Sequence, residues 1–205
     1  MRITRSTRAL GALTLGLALA LTACGTDDTT AQDSSSGSGD HNDADVAFAS
    51  DMIQHHAQAL TMVDLTLERD LDPEFQELVE GIRDAQAPEI ETMADWLTGW
   101  GEEVPATERD HMNAEGHDMG DMGADTGQDM PGMMSDDDLS ELNDSMPMDF
   151  EDMWLAMMIE HHEGAISMAE TQLEDGSYPP AIDLAEQIME SQTAEIATMQ
   201  SMIDD

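Results

Sequence analysis

An ungapped internal repeat constrains this chain more than any other feature. Shifted along itself by 106 positions, the segment from about 48 to 97 falls on 154 to 203. Phe48 meets Trp154, Met52 meets Met158, and Ile53 meets Ile159. His55 and His56 meet His161 and His162; Ala59 meets Ala165, and Met62 meets Met168. The register survives the following turn, where Pro73 meets Pro179, Ile82 meets Ile188, Gln86 meets Gln192, Glu89 meets Glu195 and Met93 meets Met199. Such a match marks a duplication, so whatever one copy folds into, the chain holds twice.

Each copy reads as a helical hairpin. Asp72-Pro73 is an N-cap followed by a first helical residue, and Gly99 is placed just past the second helix. In the second copy Gly176 stops one helix, and Tyr178-Pro179-Pro180 opens the next. Helices of roughly 22 to 26 residues are expected, about 33 to 39 Å long. Strand signals are missing. The predicted fold is all-α: a four-helix bundle made of two duplicated hairpins, 45–100 and 148–205, about a pseudo-twofold axis.

Helical periodicity then sorts the side chains. In the first helix Ala49, Ile53, His56, Leu60, Val63 and Leu67 form one seam, with Phe48, Met52, His55, Ala59 and Met62 beside it. Both histidines of the pair fall on this apolar arc. In the second helix Phe75, Leu78, Ile82, Met93 and Trp96 define the buried stripe, and Gln86 and Glu89 project from its middle. A carboxylate on a buried face is costly unless a cation or a donor meets it. The second copy repeats this with Gln192 and Glu195 beside Ile188, Met199 and Met202. Two readings stay open for single residues: methionine fills irregular gaps, and His56 or His162 can hydrogen-bond to Glu89 or Glu195. The doubled set favours metal binding.

The connector, 101–147, is rich in methionine and histidine. His111, Met112, His117, Met119, Met122, Met130, Met133 and Met134 stand among Gly, Asp and Asn, where most of these thioethers have no core to fill. Thioether is a soft, uncharged ligand suited to Cu(I) and Ag(I), and imidazole serves Cu(I) and Cu(II). These residues are read as accessory metal recruitment. Ser135 with Asp138 marks a short helix near 135–143.

Composition narrows partners. Arg2, Arg5 and Arg8 open an apolar run that ends in "LTAC", which reads as a lipoprotein signal over 1–23 with Cys24 as the lipidated residue. Residues 24–44 then form a flexible acidic tether. Cys24 is the sole cysteine, so no intramolecular disulfide or thiolate ligand is expected in the domain. The leader holds three of the six Lys+Arg and none of the 46 Asp+Glu, so removing it moves the formal charge from −40 to −43. Such a surface repels nucleic acid and anionic lipid. Contact with the membrane is expected through the lipid anchor alone, on the outer face of the cell membrane or a periplasmic membrane surface.

At these residues the chain resembles the family catalogued as domain of unknown function 305. The family block M-I-x-H-H-x-x-A-x-x-M stands at Met52–Met62 and again at Met158–Met168, and "PGMMSDDDLSEL" before the second hairpin is also familial. The resemblance covers about residues 44 to 203 and implies a ferritin-like fold. The family includes CopM-like periplasmic copper-binding proteins, which implies sequestration of copper or silver. By that similarity Met52, His55, His56, Met62 and Met93 are candidate ligands, with Met158, His161, His162, Met168 and Met199 as their copies.

The function expected is that of a lipid-anchored, non-enzymatic copper-binding protein that buffers, sequesters or delivers Cu(I), with Ag(I) as a surrogate. A copper-trafficking protein is a candidate partner. Because imidazole must be neutral to ligate, binding is expected to weaken below about pH 6. A di-iron oxidase would need Glu-x-x-His on two helices; here those positions carry Gln-x-x-Glu. A metal-free envelope interaction module is the third reading. No nucleophile–base pair, phosphate loop or nucleic-acid motif appears.

Overall fold

The computed structural model describes residues 40–67, 69–107 and 130–204, whose regular structure is helical, with no strand among them. The first hairpin is α1 (Asp43–Asp64) and α2 (Pro73–Trp100). The short α3 (Asp136–Asp144) leads into the second hairpin, α4 (Pro147–Asp175) and α5 (Pro179–Asp204). α1 and α4 pack together at the centre, and each holds its own hairpin partner. No helix among the described residues is long and apolar enough to cross a membrane. The signal, Cys24 and the tether up to residue 39 lie outside the described residues.

Capping chemistry sets the helix ends. Asn42 accepts from the Ala44 and Asp45 N–H groups while its own N–H donates to the Asp45 carboxylate, so α1 begins inside the stretch expected to be tether. Asp72 caps α2 through Glu74 N at 2.8 Å, ahead of Pro73, as predicted. α2 runs past Gly99 and stops at Gly101, whose φ of 83° is the left-handed turn glycine tolerates. Ser135 and Asp138 form the predicted capping box of α3. Two expected core positions shift. Leu67 lies beyond the end of α1 and is exposed, and Leu97 rather than Trp96 is fully buried in the last turns of α2.

The interior is layered. One apolar cluster joins Ala59, Met62 and Val63 of α1 to Phe75–Ile82 positions of α2, to Trp154, Leu155 and Met158 of α4, and to Met199 of α5. The other joins Phe48, Met52 and Ile53 of α1 to Met93 and Leu97 of α2, Ala165 and Ala169 of α4, and Leu184 and Ile188 of α5. α1 and α4 visit the two clusters in opposite order, so the central helices run antiparallel. Between the clusters every long helix carries polar residues: His55 and His56, Gln86 and Glu89, His161 and His162, Gln192 and Glu195.

The duplication also clasps the hairpins together. Asp45, at the start of α1, is fully buried. Its carboxylate accepts from Gln172 Nε2 at 2.6 Å, from Ser177 N and Oγ, and from Tyr178 N at 3.1 Å, all on the second hairpin. Its copy, Glu151, accepts from Asp72 N at 2.9 Å, and Asp72 is the copy of Tyr178. Each hairpin thus anchors the turn of the other through an acid in its first helix.

Candidate metal centre

The polar layer is built around two imidazoles. The rings of His55 and His161 meet with centroids 3.8 Å apart and planes tilted by 40°. All four histidines are fully buried. His56 Nε2 lies 2.7 Å from Glu89 Oε2, and His162 Nε2 lies 2.7 Å from Glu195 Oε2. The adjacent histidines therefore divide their work identically in both copies: the second binds its own hairpin's glutamate, and the first meets its counterpart across the bundle. His55 Nε2 also lies 3.0 Å from the Pro131 carbonyl oxygen.

Those partners fix where the lone pairs are. A carbonyl or carboxylate oxygen only accepts, so Nε2 carries the hydrogen in His55, His56 and His162. In the neutral ring Nδ1 is then a bare lone pair. None of these Nδ1 atoms has a hydrogen-bond partner, and neither nitrogen of His161 makes a well-aligned hydrogen bond. Both amide atoms of Gln86 and the Oε1 of Gln192 are also buried and unpartnered. Eight of the nine such atoms among the described residues belong to this layer, the ninth being Gln172 Oε1. Buried polar atoms are normally satisfied by protein, water or ion, so these atoms are the layer's candidate contacts for a guest.

The charge state fits a neutral ligand. Burial first, and then the neighbouring His56 and His162, push the His55 pKa from 6.5 to about 3, against the opposing pull of the Pro131 carbonyl. Burial first, and then the other three histidines, hold His161 well below its ordinary value, against the opposing pull of a contact with the His55 backbone. The expected loss of ligand below about pH 6 is therefore corrected for these two rings: they stay unprotonated in the fold far below that pH.

Thioethers flank the layer on both sides. Met52, Met62, Met93, Met158 and Met199 are fully buried, while Met168 is half-buried. Their grouping crosses the hairpins. Met62 of the first hairpin packs in the cluster of Met158 and Met199, and Met168 packs against the cluster of Met52 and Met93. The set drawn hairpin by hairpin from the sequence is thus regrouped into two copies that each borrow a methionine from the other half.

The connector returns to this centre as a strap. Gln58 grips Met134 from both sides, Nε2 to the carbonyl at 2.8 Å and Oε1 from the N–H at 2.7 Å. Gly132, at φ 76°, crosses Gly164 so closely that a Cβ on Gly164 would sit 1.9 Å from the Pro131 oxygen. Met134 is buried in the apolar core, which corrects its reading as a recruiting ligand with no core to fill. Met130 and Met133 are half-buried. His111, Met112, His117, Met119 and Met122 lie outside the described residues. Gln58, Pro131 and Gly164 were not singled out in the sequence, yet Gln58 and Gly164 occupy equivalent positions of the repeat. That unlike pair, inside an otherwise matching block, is the signal of the strap.

Among the described residues no group of three or more His, Cys, Asp or Glu converges as a hard-metal cage would require. The layer and the two clusters beside it carry imidazole, amide and thioether, donor types suited to a soft ion.

The fold and the site define a duplicated α-helical bundle with an imidazole layer between two thioether-bearing clusters. The chain belongs to the DUF305 family, a domain of unknown function whose sequence profile matches residues 45–203. A DUF305 fragment from Deinococcus radiodurans superposes with a TM-score of 0.67 at 28% identity, covering 81% of this chain and 99% of that one. A DUF305 protein from Streptomyces coelicolor, assigned as secreted, gives 0.64 at 30% identity over 78% and 89% of the two chains. CopM in its Cu(II)-bound form gives 0.60 at 27% identity, covering 78% of this chain and 95% of that one. No curated protein matches the chain.

Proposed function

We propose that the protein is a non-enzymatic, extracytoplasmic, lipid-anchored binder of Cu(I), with Ag(I) as a surrogate, that buffers the ion or passes it on. The observation that carries this reading is the set of buried, unpartnered Nδ1 atoms on His55, His56 and His162. Metal-ligating histidines characteristically donate the other ring N–H to a carboxylate or a backbone carbonyl, and these three do so to Glu89, Glu195 and Pro131.

The thioethers on either side supply soft donors without charge. A monovalent ion held by neutral His and Met keeps its single charge, a smaller burial penalty than a divalent ion carries. Glu89 and Glu195, with side chains 17% and 20% exposed, lie at the edge of the layer and orient their imidazoles. Solved forms of CopM with Cu(II) and Cu(I) support the same reading by family likeness. The leader ending in Cys24 supports the anchor, and the secreted Streptomyces relative supports a place outside the cytoplasm. A di-iron oxidase is disfavoured because Gln86 and Gln192 stand where that chemistry needs carboxylates.

The test is retention of Ag(I) and Cu(I) through gel filtration by purified apoprotein, beside its His55, His56, His161 and His162 to Gln variant. The wild type is expected to retain both ions and to ignore Mg(II) and Ca(II). The variant is expected to lose retention with its helical circular dichroism unchanged. Equal retention by the two proteins would refute the assignment.

A further inference from the structure

The two halves of the centre are copies, but their coverings are not. Over Met62 the chain places Trp154, whose Nε1 donates to the Met62 carbonyl at 2.9 Å, together with Phe150, and Met62 is fully buried. The residues of the first repeat that correspond to Phe150, Met153 and Trp154 are Ala44, Ala47 and Phe48. This exchange of large side chains for small ones leaves a groove of about 370 Å³ between α1 and α4. Its walls include Ala44, Ala47 and Phe48, and it reaches Pro131, whose carbonyl accepts from His55. Met168, the copy of Met62, lines it and is half-buried, and Asp51 lines it too.

We propose that this groove is the route by which a soft monovalent cation exchanges with solvent, Met168 being the first thioether the ion meets, while the Met62 half is sealed. The inference rests on the metal-binding reading and adds that the duplicated halves are kinetically unequal. Thioether suits a site that hands ions on, since it holds a soft cation without a charge to neutralise. Asp51, an acceptor at the groove, favours the approach of a cation through the generally acidic surface. On the other half a groove of about 290 Å³ lies over Phe75, Leu155 and Met202, but Met62 is not in its wall and stays fully buried; Phe75 packs edge-on against Trp154 at 5.0 Å between centroids, between that groove and the thioether.

Filling the groove with the residues of the sealed copy tests the route. In the Ala44→Phe, Ala47→Met double variant, the number of Ag(I) ions retained is expected to match wild type. Transfer to an excess of a competing thiol, followed by stopped flow, is expected to slow at least tenfold. Wild type is expected to release in two phases, and Met168→Leu to lose the fast one. Unchanged transfer rates in both variants would overturn the route while leaving binding intact; a wild type that takes up no Ag(I) would instead sink the functional reading itself. Should the double variant not fold, Met168→Leu decides alone. Limited peroxide oxidation of the apoprotein gives a metal-free check: Met168 is expected to become sulfoxide ahead of Met62, and the reverse order would contradict an open groove.

Discussion

His161 faces His55 across the bundle with 3.8 Å between ring centroids, and neither of its ring nitrogens makes a well-aligned hydrogen bond, a poorly aligned contact with the His55 backbone being all it has. A residue kept for packing would not be an imidazole in that position. Burying an unsatisfied polar group costs about 1–3 kcal/mol, so His161→Leu should raise the stability of the apoprotein by about that amount. The same change should lower Cu(I) and Ag(I) affinity at least tenfold. Urea unfolding of the metal-free proteins measures the first effect. A destabilised Leu variant would mean that His161 serves the fold.

Stability should fall with acid well before carboxylates titrate. The unfolded state takes up protons at its histidines near pH 6.5, while His55 in the fold resists until about 3 and His161 is lowered likewise. Each depressed histidine contributes stability that is complete above the unfolded value and is lost as pH falls toward the folded one. The slope is roughly 1.4 kcal/mol per pH unit for each ring once the unfolded state is fully protonated. The urea midpoint of the apoprotein is expected to drop steadily from pH 6.5 to 4.5, and less steeply in the His161→Leu variant. A flat profile over that range would contradict the burial of neutral rings.

Asp45 sets a second, lower limit. Burial raises its pKa, but hydrogen bonds from the Asn42 backbone, Gln172, the Tyr178 backbone and Ser177 outweigh this and leave it below 3.8. Its contribution is therefore present above about pH 4 and is lost as pH falls through the folded value. Asp45→Ala leaves several buried donors without an acceptor and is expected to cost about 3 kcal/mol or more at pH 7. Thermal melts of the two proteins should draw closer together as pH falls from about 4.

Gly164→Ala tests the strap. The new methyl would overlap the Pro131 carbonyl and approach Gly132 Cα to 2.8 Å, both of them backbone atoms with little freedom to move. Displacing Pro131 releases the acceptor of His55, so a loss of about 1–3 kcal/mol is expected together with weaker Ag(I) retention. The equivalent change in the other repeat, Gln58→Ala, removes both hydrogen bonds to Met134 and should cost about 2 kcal/mol. A Gly164→Ala protein with wild-type stability would show that the strap does not sit on α4.

Much of the architecture was legible because it rests on periodicity. The 106-residue register, the Asp72-Pro73 start and the Ser135–Asp138 box report local chemistry, and local chemistry decides helix ends. The inward set was legible for the same reason, since His55, His56, Gln86, Glu89 and their copies share faces fixed by helical spacing. What each side chain meets was not. Spacing along one helix offered the pairing of His56 and His162 with Glu89 and Glu195 only as one of two readings, and it could not show that His55 and His161 meet across the bundle. Likewise it could not show that Met62 joins Met158 and Met199. Met134 looked like a free thioether because its segment is rich in Gly and Asp, yet the tertiary contact with Gln58 carries it into the core. The groove was written in the sequence, in Ala44 and Ala47 set against Phe150 and Met153, but it becomes visible only when the two helices are side by side.

Competition for Cu(I) against a chromogenic chelator, at neutral pH under reducing conditions, asks whether the interior holds a soft ion at all. Apoprotein is expected to bleach the chelator complex in proportion to the protein added, and the four-histidine variant to leave its colour unchanged. A wild-type protein that withdraws no Cu(I) at any ratio would contradict the assignment of the imidazole and thioether interior as a metal site.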